Sequence, residues 1–273
     1  MKYIYLIMTG WLCGSMAAQA QTLEERTATL AALMRQVAAE TDSTQKTAAM
    51  AVFTAAFEET LCREATMDNA FDSIPYLGVL VSPDRKVRIF TWNLPLTGTQ
   101  HRYFGIVQYR MNNTIQTTML NDVKDSIAER PETITLSNSR WFGALYYDLL
   151  QNKTAGRMYY TLLGYDFHSG ATHRKLLDVL TFDEQGIPVF GAPLFDNGRW
   201  KANRVILEYS AATPFYLTYL PRKKMIVFQR LESVSLGGFP GRVPSGVFDG
   251  LLFNGSEWKL QKEVDVTPKD FKK

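Results

Sequence analysis

The chain has 273 residues, with 30 lysines and arginines against 27 aspartates and glutamates, for a formal charge of +3. So mixed and nearly neutral a surface gives no electrostatic case for a nucleic-acid partner or a polybasic membrane patch. The length is enough to bury one large core or two small ones without covalent staples.

At the N-terminus, Lys2 supplies a positive charge, Ile4 to Gly14 an apolar stretch, and Ala18-Gln19-Ala20 a small-x-small cleavage site. Residues 1–20 are therefore predicted to be a secretory signal peptide, and the mature chain to be periplasmic or extracellular. The apolar run is too short to span a bilayer and no later one is long enough, so no transmembrane segment is expected in the mature chain. Gly10-Trp11-Leu12 before Cys13 is too bulky for a lipidation motif. Cleavage leaves Cys62 alone, which rules out an intrachain disulfide in the mature protein; it is expected to serve as a small buried hydrophobe on a helix.

Two helices are predicted in residues 21–75. Leu23, Leu30, Leu33, Met34, Val37 and Ala38 fall at helical spacing, with Glu24 and Glu25 in the first turn. Asp42 and Ser43 interrupt the pattern and can cap a second helix, in which Ala49, Met50, Val52, Phe53, Ala56, Phe57 and Leu61 make a broad apolar face. The short link between them predicts an antiparallel helical hairpin.

Residues 76–273 read as an antiparallel β domain packed with the helices. Hairpins are expected for Leu77–Val81 with Val87–Trp92, and for Tyr103–Arg110 with Thr114–Met119. Residues 121–131 are polar. Trp141 to Leu149 is expected to be a strand with Trp141, Leu145, Tyr147 and Leu149 on one face. The run from Met158 to Leu163 is apolar at nearly every position, the pattern of a strand covered on both faces. It ends at Gly164-Tyr165-Asp166, is followed by turn residues His168-Ser169-Gly170, and gives way to a second strand over 176–182. Pro188 predicts that the following strand is short or at an edge. Runs 205–209, 215–220 and 225–230 are expected to pair in sequence as a meander. Ser233 to Gly246, rich in Gly and Pro, reads as a loop, and Asn254-Gly255 as a two-residue turn. The fold class is therefore α+β: a helical hairpin followed by a large antiparallel β meander, with sandwich, barrel and propeller-like closures all open.

Two constellations bear on chemistry. His168 and His173, with Asp166 and Asp178 nearby, form the one neighbourhood rich in histidine, but His-x4-His in a loop lacks the spacing of a zinc site, and no metal is expected. Asp148, Asp166, Asp178, Asp183, Glu208 and Asp249 lie on or beside predicted strands, where two opposed acids could cleave a glycosidic bond; acids on antiparallel sheets are more often expected on the solvated face. No nucleophile elbow, phosphate loop or dinucleotide fingerprint occurs, and no cofactor is expected.

Several phrases carry a resemblance: residues 82–92 (SPDRKVRIFTW), 159–166 (YYTLLGYD), 174–180 (RKLLDVL), 189–193 (VFGAP) and 225–228 (MIVF). They resemble a group of uncharacterised secreted proteins of Bacteroidetes. The resemblance implies export and a shared β fold and brings no catalytic residues. The chain departs from the group at Gln229, where an aspartate is expected, and at Phe248-Asp249-Gly250, where the group has tyrosine first.

The leading expectation is a non-enzymatic envelope protein that binds a protein partner or a glycan through the loops around Gly164–Arg174 and Ser233–Gly246, with Tyr165, Asp166, His168, His173 and Arg174 as candidate binding residues. The alternative is a hydrolase acting on an envelope or dietary glycan through strand-borne carboxylates.

Overall fold

The computed structural model describes residues 21–63, 66–96, 98–236 and 239–271. The expected signal peptide lies outside the described residues. Helix α1 runs Leu23–Ala39 and α2 Ser43–Leu61. Thr22 caps α1 through a reciprocal pair: its hydroxyl accepts from the Glu25 amide at 3.2 Å, and the Glu25 carboxylate accepts from the Thr22 amide at 2.8 Å. Asp42 caps α2, accepting from the Gln45 amide at 2.8 Å. Among the described residues no helix is long and apolar enough to cross a membrane.

The strands follow as β1 (Gly78–Val81), β2 (Val87–Pro95), β3 (His101–Met111), β4 (Thr114–Asn121), β5 (Leu136–Ser137), β6 (Leu145–Thr154), β7 (Arg157–Asp166) and β8 (Thr172–Phe182). After these come β9 (Pro188–Phe190), β10 (Phe195–Asp196), β11 (Lys201–Ala202), β12 (Val205–Ser210), β13 (Leu217–Leu220), β14 (Met225–Leu236), β15 (Phe239–Phe253) and β16 (Trp258–Gln261). Among the described residues they form three sheets: β1-β2-β3-β4; β5-β9-β8-β7-β6 with β12 also on β8; and β11-β10-β16-β15-β14-β13. The pairing is antiparallel apart from β10 with β16 and the isolated bridge from Asp122 to Trp141.

Strand alternation stacks these elements into four layers. On β2, Phe90, Trp92 and Leu94 face the helices and pack with Met34, Met50, Phe53 and Phe57, while Val87 and Ile89 face the second sheet and pack near Trp141, Tyr146, Leu162 and Leu176. On β7 and β8, Leu163, Leu177 and Val179 point the other way, into a core shared with Leu217, Ile226, Leu251 and Trp258 of the third sheet. The second sheet is thus covered on both faces, which is why β7 is apolar at successive positions. The expected α+β architecture takes the form of stacked open sheets with the helical hairpin outermost.

The connection after α2 is tied down by polar groups. Arg88, 1% exposed, donates to the carbonyls of Thr66 (2.6 Å), Met67 (3.1 Å) and Asn69 (2.5 Å), with its guanidinium 4.8 Å from the Phe90 ring centre. Burial lowers its pKa to about 10, with Asp68 opposing the shift. Gln108 donates to the Leu61 carbonyl at 2.6 Å and the Thr66 hydroxyl at 2.8 Å.

Several expectations are corrected. Cys62 is exposed: Phe57, Thr60 and Leu61 take the buried face at the end of α2, and the next residue is turned about 100° away from it. The strand expected from Trp141 begins at Leu145, and a bulge between Tyr146 and Asp148 resets its alternation. Tyr146 is therefore buried and Tyr147 39% exposed. The expected meander breaks at β12, which pairs with β8 rather than β13; its register places Glu208 opposite Arg174 and Val205 opposite Leu177. Of the predicted loop over 233–246, the described residues 233–236 and 239–246 form the far part of the β14–β15 hairpin. Pro240 and Pro244 are tolerated because residues four apart aim their backbone nitrogens to the same side, and β16 covers β15 only from Gly250 onward. The predicted two-residue turn at Asn254-Gly255 is a four-residue loop, since Phe253 pairs with Trp258.

Candidate functional site

The ends of the first two sheets leave a cleft of about 440 Å³ lined by Gln100, His101, Asp122, Lys124, Asp166 and His168, among others. Its construction begins at the β4 terminus. The Trp141 amide donates to the Asn121 carbonyl (2.9 Å) and the Val123 amide to the Trp141 carbonyl (3.1 Å). That bridge ends the strand and sends the chain into a 3-10 turn over Lys124–Ser126. The Asp122 carboxylate is held inward by the Tyr103 amide (3.0 Å), the Lys124 amide (3.2 Å) and the Lys124 ammonium (3.3 Å). It presses on Gly143, where a Cβ would stand 2.3 Å from the Asp122 carboxyl carbon, so only glycine fits there.

Lys124, 6% exposed, lies between two carboxylates: Asp122 at 3.3 Å and Asp166, fully buried, at 3.8 Å. Its ammonium sits 4.2 Å from the Tyr103 ring centre. Asp166 Oδ1 accepts from the His168 amide at 3.0 Å. Its Oδ2 lies 3.7 Å from Arg174 Nη1, beyond hydrogen-bond reach, and is buried with no hydrogen-bond partner. Arg174 in turn donates through Nε to Glu208 at 2.8 Å and through Nη2 to His168 Nε2 at 2.8 Å, which makes Nε2 an acceptor and puts the His168 proton on Nδ1. Burial alone would raise the Glu208 pKa, but the hydrogen bonds from Arg174 and Thr172 outweigh it and the net shift is downward.

His101 forms the opposite wall. Asn93 Nδ2 donates to its Nδ1 at 2.7 Å, leaving Nε2–H as the donor. The ring stacks on Phe167 at 4.3 Å. Burial lowers the His101 pKa, with Asp166 opposing and Lys124 and His173 assisting. The Tyr103 hydroxyl accepts from the Phe167 amide at 2.7 Å, and burial, then Asp166, push its pKa well up.

Pleating divides the five residues singled out from sequence. Asp166 and His168 line this cleft; Arg174, paired with Asp166 across β7 and β8, is not in the lining and touches it through its hydrogen bond to His168. Tyr165 and His173 take the opposite face and join an aromatic cluster with Tyr209, the Tyr165 hydroxyl lying 2.7 Å from His173 Nδ1. Phe167 touches both groups, 4.8 Å from Tyr165 and 5.7 Å from His173. On that face the Lys175 ammonium lies 4.2 Å from the Tyr147 ring and 4.9 Å from the Tyr165 ring, and burial lowers its pKa to about 8.

The expectation that strand acids face solvent is wrong for three of them. Asp166 and Asp178 are fully buried and Asp249 nearly so, and each faces an arginine: Arg174 (3.7 Å), Arg204 (2.8 Å) and Arg230 (2.6 Å). Asp166 and Glu208 meet through Arg174, whereas Asp178 and Asp249 lie in other cores. Sequence reading missed His101, Asp122 and Lys124. His101 has no signal of its own there; Asp122 and Lys124 form an Asp-x-Lys in a polar connection, and nothing local marks those two side chains as buried. Among the described residues no three His, Cys, Asp or Glu side chains are grouped to hold a metal ion. Comparisons with protein-family models, curated proteins and solved structures give no match.

Proposed function

We propose that this chain is an exported binding protein whose cleft at His101, Lys124 and Asp166 takes a polar, uncharged ligand, a glycan. The observation that carries the reading is the Asp166 carboxylate: it lines the cleft, is fully buried, and among the described residues has no donor within 3.5 Å of Oδ2, the Tyr103 hydroxyl interacting with the carboxylate from further off. A buried acceptor of this kind is costly unless a donor arrives, and sugar hydroxyls are such donors. Of the charges around it, Asp122 pairs with Lys124 and Glu208 with Arg174, and the lining adds Arg102 and Asp125, one of each sign, so an anionic ligand would find no surplus cation. Gln100, Ser126 and the His101 Nε2–H add neutral polar groups of the sort that read hydroxyls.

Binding rather than cleavage fits because hydrolysis needs two carboxyl groups facing each other across a sugar. Here Lys124 stands between Asp122 and Asp166, within 4 Å of both. The test is to titrate the purified protein with a panel of envelope and dietary oligosaccharides, following the His101 ring by NMR, and to assay the same panel for released reducing ends. The expected outcome is saturable shifts at His101 with at least one oligosaccharide, affinity reduced about tenfold by Asp166→Asn, and no release. Reducing-end release abolished by Asp166→Asn would replace this reading with the hydrolase. Export is tested by fractionating cells and sequencing the mature N-terminus, expected at Gln21.

A further inference from the structure

A second pocket, of about 270 Å³, lies between the end of α1, the start of α2 and β2. Its chemistry is the reverse of the polar cleft. The walls include Met34, Met50 and Leu94, apolar side chains that belong to the core between helices and sheet, and two of them are flexible thioethers suited to irregular apolar ligands. Among the described residues that line it, Lys46 is the one cation and none is a carboxylate. Lys46 makes no ion pair with any described residue. Asn93, also in the lining, already spends its amide on His101. Any negative group entering the pocket therefore meets a single unopposed ammonium beside apolar walls.

Tyr76 gives an independent sign of use. It lines this pocket, is 72% exposed and has φ of +61°. A bulky residue in the left-handed region is strained, and here the strain holds an aromatic ring in solvent at the pocket rim with no packing return. Strain of this kind concentrates at ligand clamps.

We propose that this pocket binds an aliphatic monocarboxylate, the tail against Met34, Met50 and Leu94, the carboxylate on Lys46, and the Tyr76 ring over the chain. The site is distinct from the polar cleft and does not depend on how that cleft is used. Decanoate, kept below its micellar concentration, is the probe, titrated into the purified protein with the methionine ε-methyl signals as readout and decanol as the uncharged control. Saturable shifts at Met34 and Met50 are expected, with decanol about tenfold weaker and Lys46→Glu weakening decanoate about tenfold or more. Tyr76→Gly, which removes the strain, is expected to raise the melting temperature yet weaken decanoate about threefold. Unsaturable partitioning, decanol binding as tightly as decanoate, or a Lys46→Glu variant with unchanged affinity would overturn the proposal. Unchanged affinity in Tyr76→Gly would remove the ring from it.

Discussion

Replacing Asp178 by asparagine tests how the middle of the molecule is held together. Asp178 is fully buried on β8, and so is Arg204. One carboxylate oxygen accepts from Arg204 Nε at 2.8 Å and from the Tyr146 hydroxyl at 3.2 Å, and the other from the Val179 amide at 2.8 Å. Tyr146 in turn accepts from the Trp141 indole at 3.1 Å. Arg204 Nη1 donates to the Pro131 carbonyl, while Nη2 has no partner. Asparagine keeps the shape and an acceptor but leaves the guanidinium charge uncompensated away from water, which costs about 3–5 kcal/mol. For a chain of this size each kcal/mol lowers the melting temperature by about 2–4 °C, so a drop of roughly 6–20 °C is expected. Removing both charges in Asp178→Leu with Arg204→Met should recover most of that loss, because an apolar pair needs no compensation. Thermal unfolding followed by near-ultraviolet circular dichroism, which reports on Trp141 beside the pair, measures both. A single variant that melts within about 2 °C of the parent would refute the claim that this pair is desolvated, and a double variant no better than the single would refute the charge argument.

Other outcomes follow from the same geometry. Arg88→Lys keeps the charge but cannot reach three carbonyls at once, and should lower stability by about 2–3 kcal/mol while opening residues 66–74 to limited proteolysis. Gly143→Ala drives a methyl into the Asp122 carboxylate and should cost about 1–3 kcal/mol; a crystal structure of the variant should show Lys124 displaced from Tyr103. His101 and His173 both have pKa values lowered from 6.5 by burial, with Asp166 opposing. The unfolded chain then binds more protons than the fold below pH 6.5, so stability falls as pH drops from 6.5 toward the folded values; denaturant titrations should show this slope, and His101→Gln should flatten it.

The parts of the fold readable in the sequence are those whose information is local. Glu24 and Glu25 in the first turn of α1, and Asp42 before Ser43, announce the helices because dipole and cap effects act between near neighbours. The apolar run through β7 announces a strand with two covered faces because each residue reports its own burial. Where the expectations failed, a distant partner decided. Nothing in Val205–Ser210 says that it will add to β8 across a fold that brings Glu208 to Arg174. The bulge between Tyr146 and Asp148 shifts side chains from one face to the other, and the partners of the buried Tyr146, Trp141 and Asp178, include one 32 residues away. The 233–246 segment looked like a loop because two prolines forbid a central strand, but they do not forbid one whose far edge is free.

The polar cleft was half legible for the same reason. Asp166, His168 and Arg174 stood out by composition, yet alternation alone, applied to β7 and β8, would have separated Tyr165 and His173 from them. The rest of the site comes from the first sheet, which contributes His101, Asp122 and Lys124 across a layer boundary. What singles this cleft out is how its charges are settled. Asp178 and Asp249 each have an arginine in direct hydrogen-bond contact, which completes them as structural pairs. Asp166, as deeply buried, has its two cations at 3.7 and 3.8 Å and an oxygen with no donor. Of the three buried acids, Asp166 is thus the one with an oxygen left for an outside donor, and that donor is what the proposed glycan would bring to the cleft.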